Sequence, residues 1–128
     1  MDILTLGLNH ASAPLTVRER VAFAGEQLPS ALVDFHRDMQ KIAPESAIIS
    51  TCNRTEIVCA SGQAEQLSGD VARWLSARQH IDPDELMQHL YVLPGREAVR
   101  HTFRVASGLD SMVVGEPQIL GQMKQAFR

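Results

Sequence analysis

A chain of 128 residues is one domain by size and can bury a core without disulfide or metal staples. With 45% hydrophobic and 21% charged residues it has the balance of a globular protein. The net charge of −3 argues against a general nucleic-acid binder, whose surface is basic, while leaving room for a local basic patch.

The opening Met1-Asp2-Ile3-Leu4 lacks the basic and apolar regions of a signal peptide, and no apolar run approaches the ~20 residues of a membrane span. A cytoplasmic, membrane-free protein with two reduced cysteines is therefore expected. Residues 3–9 are apolar at nearly every step and predict a strand, broken by His10-Ala-Ser-Ala-Pro14. Helical spacing predicts helices over 16–23 and 26–39, the second with a stripe of Leu28, Leu32, Phe35 and Met39, and Pro44 closes that region. Residues 47–51 and 55–60 predict two buried strands with Cys52-Asn53-Arg54 as the turn between them. A helix over 63–78 points Leu67, Val71, Trp74 and Leu75 inward. Asp82 caps a short helix that begins at Pro83, and residues 90–93 form a last strand closed by Pro94-Gly95.

A helix over 96–107 stops near Gly108, with His101 at the border of a face formed by Val99, Phe103 and Ala106. Pro117 starts another that is still running at Arg128. Strand, helix, strand, strand, helix, strand is the order of an α+β, ferredoxin-like split βαβ sandwich: a four-stranded antiparallel sheet with helices on one face. In the last helix Ile119, Leu120, Met123 and Phe127 make an apolar stripe with no later residues to cover it. The sequence is therefore expected to be a piece of a longer protein, with residues beyond about 117 projecting from the body or packing on a neighbour.

The turn Ser50-Thr-Cys-Asn-Arg-Thr-Glu56 has the strongest chemical character. A thiol becomes a nucleophile where positive charge stabilises its thiolate and solvent reaches it. Arg54 can supply that charge, or bind a substrate carboxylate through its planar fork. The competing reading of the same residues is a small buried Cys52 beside a surface Arg54. Cys59, inside an apolar strand without a basic neighbour, reads as core. The segment Gly108-Leu-Asp-Ser-Met-Val-Val-Gly-Glu-Pro-Gln-Ile-Leu-Gly121 encloses apolar Met112-Val113-Val114 in polar groups, as a binding loop does.

Residues 50–56 and 108–122, with the opening Gly7-Leu-Asn-His-Ala-Ser-Ala-Pro14, together resemble the N-terminal catalytic domain of the glutamyl-tRNA reductase family from end to end. The resemblance implies an NADPH-dependent enzyme that reduces the glutamyl group of glutamyl-tRNA to glutamate-1-semialdehyde for tetrapyrrole, 5-aminolevulinate and haem biosynthesis. Cys52 would attack the glutamyl ester to form a thioester. His101 would be its acid-base partner. Thr51, Arg54, Ser111, Glu116 and Gln118 would bind the glutamyl group, with Glu116 pairing with the α-ammonium. Gly108 would be a tight backbone position near the site, and Asn9 and His10 belong to the opening motif.

The resemblance divides the chain into a catalytic domain over 1–108 and, over 109–128, a substrate loop and the start of a long connecting helix. NADPH and dimerisation domains would lie outside it, and no Gly-x-Gly-x-x-Gly occurs here. The piece alone would be at most esterase-like. Homodimerisation of the longer protein and handover of product to glutamate-1-semialdehyde aminomutase are implied too. The five histidines and two cysteines form no zinc-like spacing, so no metal is expected. Arg96, Arg100 and Arg104 recur every four residues as a basic stripe, for tRNA phosphates or simply for solvent and neighbouring acids. The alternatives are a non-catalytic ferredoxin-like module binding tRNA or a protein partner, a thiol hydrolase, and a Cys52–Cys59 redox switch.

Overall fold

In the computed structural model, which describes residues 2–43, 45–62 and 64–106, alternation along four strands decides the architecture. The strands are β1 (Asp2–Asn9), β2 (Glu45–Ser50), β3 (Arg54–Ser61) and β4 (Tyr91–Pro94), in the order β2-β3-β1-β4 with every neighbour antiparallel. That is the ferredoxin-like order: the first and third strands are central and the last returns beside the first. Successive side chains of a strand point to opposite faces. Leu4, Leu6, Leu8, Ile48, Ile57 and Cys59 therefore enter one core, while Thr5, Gly7, Asn9, Arg54 and Glu56 face the other way.

The first face is covered by α1 (Leu15–Val21), α2 (Leu28–Met39), α3 (Ala64–Gln79) and α4 (Pro83–Met87). The stripe predicted for α2 is observed, with Phe35 and Met39 buried and Leu28 and Leu32 packed at the core's edge. Leu67, Val71 and Leu75 of α3 meet it. Trp74 lies at the margin, its ring edge-on to Phe35 at 5.0 Å and its indole Nε1 donating to Asp38 Oδ2 at 2.9 Å. Edge-on packing suits two ring quadrupoles, and the polar end of the indole stays paired. At α4, Asp82 occupies the N-cap position but makes no side-chain capping bond; its exposed carboxylate remains in water, and the cap rests on the Leu86 N–H donating to the Asp82 carbonyl at 2.9 Å.

The second face receives α5 (Gly95–Ala106), the addition to the split βαβ frame. Gly95, at φ +56°, turns the chain from β4 straight into this helix, a conformation that favours glycine. The apolar face that Val99 and Phe103 share is not the one that meets the sheet. Ala98 and Val105 are buried, whereas Val99 is 38% and Phe103 71% exposed. The sheet beneath α5 presents polar side chains and Gly7, so small Ala98 and hydrogen-bonding His101 fit there and the larger apolar residues turn outward.

Candidate active site at the Cys52 turn

Antiparallel pairing sets Asn9 opposite Arg54 and Gly7 opposite Glu56, so the β2–β3 turn emerges beside the end of β1. Thr51 builds this turn. Its N–H donates to the Arg54 carbonyl at 2.7 Å, and its Oγ1 accepts from the Asn53 and Arg54 N–H groups at 3.1 and 3.2 Å. Below it, Ser50 and Thr55 share a hydroxyl–hydroxyl bond of 3.1 Å, and the Phe23 N–H donates to Ser50 Oγ at 2.9 Å, tying the hairpin to the end of α1. A buried side-chain acceptor for turn N–H groups holds an otherwise unpaired backbone rigid. Cys52 stands on this platform, exposed, as a free thiol. The reading of Cys52 as a buried hydrophobe is thus excluded.

Arg54 is no surface charge either: it is fully buried, with Nη1 donating to Glu56 Oε1 at 3.1 Å. The other oxygen of Glu56, Oε2, lies 2.6 Å from His101 Nε2 on α5. Burial pushes the Glu56 carboxyl up, but the hydrogen bond and charge of His101, then those of Arg54, outweigh burial and hold it below the usual carboxylate range. The carboxylate is therefore ionised, and Nε2 is the nitrogen that donates to it. Tyr91 meets the His101 ring edge-on at 5.6 Å. From the turn inward the order is Cys52, Arg54, Glu56, His101; the imidazole is oriented by Glu56, and no hydrogen bond joins it to Cys52.

Sequence reasoning missed two members of this group. Glu56 was visible as a lone carboxylate in an apolar strand, a position that has to be paired if it is buried. Arg18 of α1, whose Nη1 donates to the Cys52 carbonyl at 3.4 Å, carried no such signal. Asn9 serves its own turn, Oδ1 accepting from the Ala11 and Ser12 N–H groups at 2.9 and 3.2 Å. His10 follows it, half-buried, with Nδ1 meeting no hydrogen-bond partner among the described residues. Gly108, Ser111, Glu116, Gln118 and the helix expected from Pro117 lie outside the described residues.

Cys59 is buried, and burial pushes its thiol up to about 12, so it remains protonated near neutral pH. It lies five residues beyond Arg54 along β3, roughly 16 Å at strand rise. A disulfide needs Cα atoms within about 7 Å, so the Cys52–Cys59 switch is ruled out. His36 and His80 are exposed, and His89 Nδ1 lies 3.2 Å from the Ser12 carbonyl oxygen. Among the described residues no group of three or more His, Cys, Asp or Glu is placed to hold a metal. None of the described helices is long and apolar enough to cross a membrane.

These features define an α+β domain of ferredoxin-like order that presents an exposed thiol over a buried arginine–glutamate–histidine row. Residues 6–128 match the family described as glutamyl-tRNAGlu reductase, N-terminal domain, and the chain belongs to that family. It is also similar to the solved glutamyl-tRNA reductase from Methanopyrus kandleri, with 31% identity and a TM-score of 0.69 over 98% of this chain. The chain spans 27% of the length of that protein.

Proposed function

We propose that this chain is the acyl-transfer unit of a glutamyl-tRNA reductase. The observation that carries the reading is the exposed Cys52 thiol on a hydrogen-bonded turn whose strand continues into the buried Arg54–Glu56–His101 row. The Cys52 thiolate attacks the carbonyl carbon of the ester joining glutamate to the terminal ribose of tRNA. The C–S bond forms, the C–O bond to ribose breaks, and the ribose oxygen leaves with a proton. Forming a thioester detaches the bulky RNA and leaves an acyl group more readily reduced than an ester. His101 is the proton-handling group in this scheme, its ring held in place by the bond between Nε2 and Glu56.

Arg54, having no exposed surface and bonded to Glu56, acts here as a fixed buried charge at the start of β3, and its part in holding the substrate carboxylate belongs to the proposed set. Ser111, Glu116 and Gln118 complete the proposed glutamyl-binding set, while Thr51 contributes by holding the turn. NADPH supplies hydride for reduction to the aldehyde. The described residues do not fit that cofactor: the sheet is wholly antiparallel and the sequence has no Gly-x-Gly-x-x-Gly turn, so its site is assigned to residues outside this chain. The division of residues 1–108 from a connecting segment over 109–128, a cytoplasmic setting, homodimerisation and handover to the aminomutase belong to the same proposal. Without the reductive part, thioester formed here is lost to water, an esterase-like side reaction.

The test is intact-protein mass after mixing the chain with glutamyl-tRNA and quenching in acid. A glutamyl adduct on wild type that disappears in Cys52→Ser is the expected result. An equal adduct in both, or none on this chain and none on a longer protein containing it, overturns the proposal.

A further inference from the structure

The outer face of α5 carries charge of a kind found nowhere else among the described residues. Arg96, Arg100 and Arg104 are all exposed and succeed each other every four residues, about 6 Å apart along the axis. On other elements Arg20 is engaged with Glu85, Arg37 with Asp34 and Asp38, Arg73 with Asp70 and Arg78 with Asp34, while Arg18 donates to the Cys52 carbonyl. Arg96 and Arg100 make no ion pair or hydrogen bond among the described residues, although Glu97 lies between them in sequence. The helix holds three arginines against one glutamate in a chain whose net charge is −3. Two neighbouring arginines, Arg96 and Arg100, that pair with no acid among the described residues of an acidic protein are suited to an external polyanion.

Two further features narrow the partner. Phe103, 71% exposed, lies three residues from Arg100 and so on the neighbouring strip of the helix, with Val99 beside it. Exposed aromatic surface next to arginines is the composition that binds single-stranded nucleic acid, the cations taking phosphates and the ring stacking on a base. The helix also has a direction. It starts where Pro94 pairs with Leu4, and six residues later His101 reaches Glu56, the partner of Gly7. It therefore runs along the sheet toward the end where Asn9 pairs with Arg54 and Cys52 emerges.

We propose that the outer face of α5 binds the single-stranded 3′ end of an acylated RNA. Arg96 and Arg100 take its phosphates and Phe103 stacks on an unpaired base, so that the acylated terminus is led toward Cys52. The proposal rests on the reading of Cys52 as acyl acceptor from glutamyl-tRNA, and its test separates the two.

The experiment measures binding of uncharged tRNA and of a short single-stranded RNA matching its 3′ end, by fluorescence anisotropy over a range of salt concentrations. Wild type is compared with Arg96→Glu/Arg100→Glu, Phe103→Ala, and a control of equal charge change, Arg37→Glu/Arg73→Glu. All of these side chains are exposed, so folding is not at stake. The expected result is at least tenfold weaker binding for the α5 double reversal, with a log–log salt slope flatter by about 1.4, or ~0.7 for each lost phosphate contact to a single strand. Phe103→Ala weakens binding without changing the slope, and the control matches wild type. No binding by wild type, equal affinity of the α5 double reversal, or an equal loss in the control overturns the proposal. A glutamyl thioester without RNA, mixed with wild type and Cys52→Ser, tests the other reading alone: if it fails to acylate wild type while the arginine effect stands, the acyl-acceptor role falls and the RNA surface remains.

Discussion

Glu56 is the residue on which the buried polar row depends, because each of its oxygens answers a different element: Oε1 the Arg54 guanidinium on its own strand, Oε2 the His101 ring on α5. Removing its charge leaves Arg54 buried without that counter-charge, a change that typically costs 3–5 kcal/mol. Since the folded protein holds the Glu56 carboxyl below its usual 4.5, this contribution is complete above that pH. It is lost as pH falls through the lowered value, when the folded state too takes up the proton. Urea unfolding of wild type and Glu56→Gln should therefore differ by about 3 kcal/mol at pH 7 and converge in acid. A gap of the same size at pH 7 and pH 3 would show that the charge is not what holds the row. The same variant should alter the pH profile of Cys52 acylation, which loss of stability alone would leave in shape.

The element that admits Glu56 is β1, at Gly7. A Cβ placed there would lie 2.4 Å from the Thr55 carbonyl oxygen and 2.8 and 2.9 Å from Glu56 Cγ and Cα. Two of these contacts are to main-chain atoms of β3, so no change of rotamer relieves them, and overpacking of this kind commonly costs 1–3 kcal/mol. Gly7→Ala is expected to lose about 2 kcal/mol and to disturb the His101 ring, read as a shift of its imidazole NMR resonances. A stable variant with unmoved His101 resonances would refute the close approach. Gly7 was legible in the sequence only as part of a motif, since the reason for it lies 49 positions away across a strand pair, at Glu56. The strands themselves, the α2 and α3 stripes and the Cys52 turn could be read because alternation and helical spacing are local. The docking of α5 could not. Its apolar residues fall on two sides, Ala98 and Val105 inward, Val99 and Phe103 outward, and only the polar sheet face opposite decides between them.

At the scale of the molecule the sheet has two unequal faces. On one, Phe35, Leu67, Val71 and Leu75 pack with Leu4, Leu6 and Leu8 in a continuous apolar core. On the other, α5 meets the sheet through buried Ala98 and Val105, the His101–Glu56 bond and the Tyr91–His101 ring contact, while Val99 is 38% and Phe103 71% exposed. Burial stabilises by about 25 cal/mol per Å² of apolar surface, so two small side chains anchor α5 far less than three leucines anchor β1. Local opening follows such differences in packing. In native-state hydrogen exchange the amides of Val99 to Thr102 should show protection factors at least tenfold below those of Leu4 to Leu8. Their deficit should widen as pH falls from 4.5 through the lowered value of the Glu56 carboxyl, as its protonation removes the charge that tethers His101. Protection of α5 equal to that of β1, or a deficit independent of pH, would mean that the helix is fixed by packing alone. The point matters for the chemistry because α5 carries both the imidazole oriented on Glu56 and the arginine row, so the free energy of this one docking step sets how much of the population has both in place.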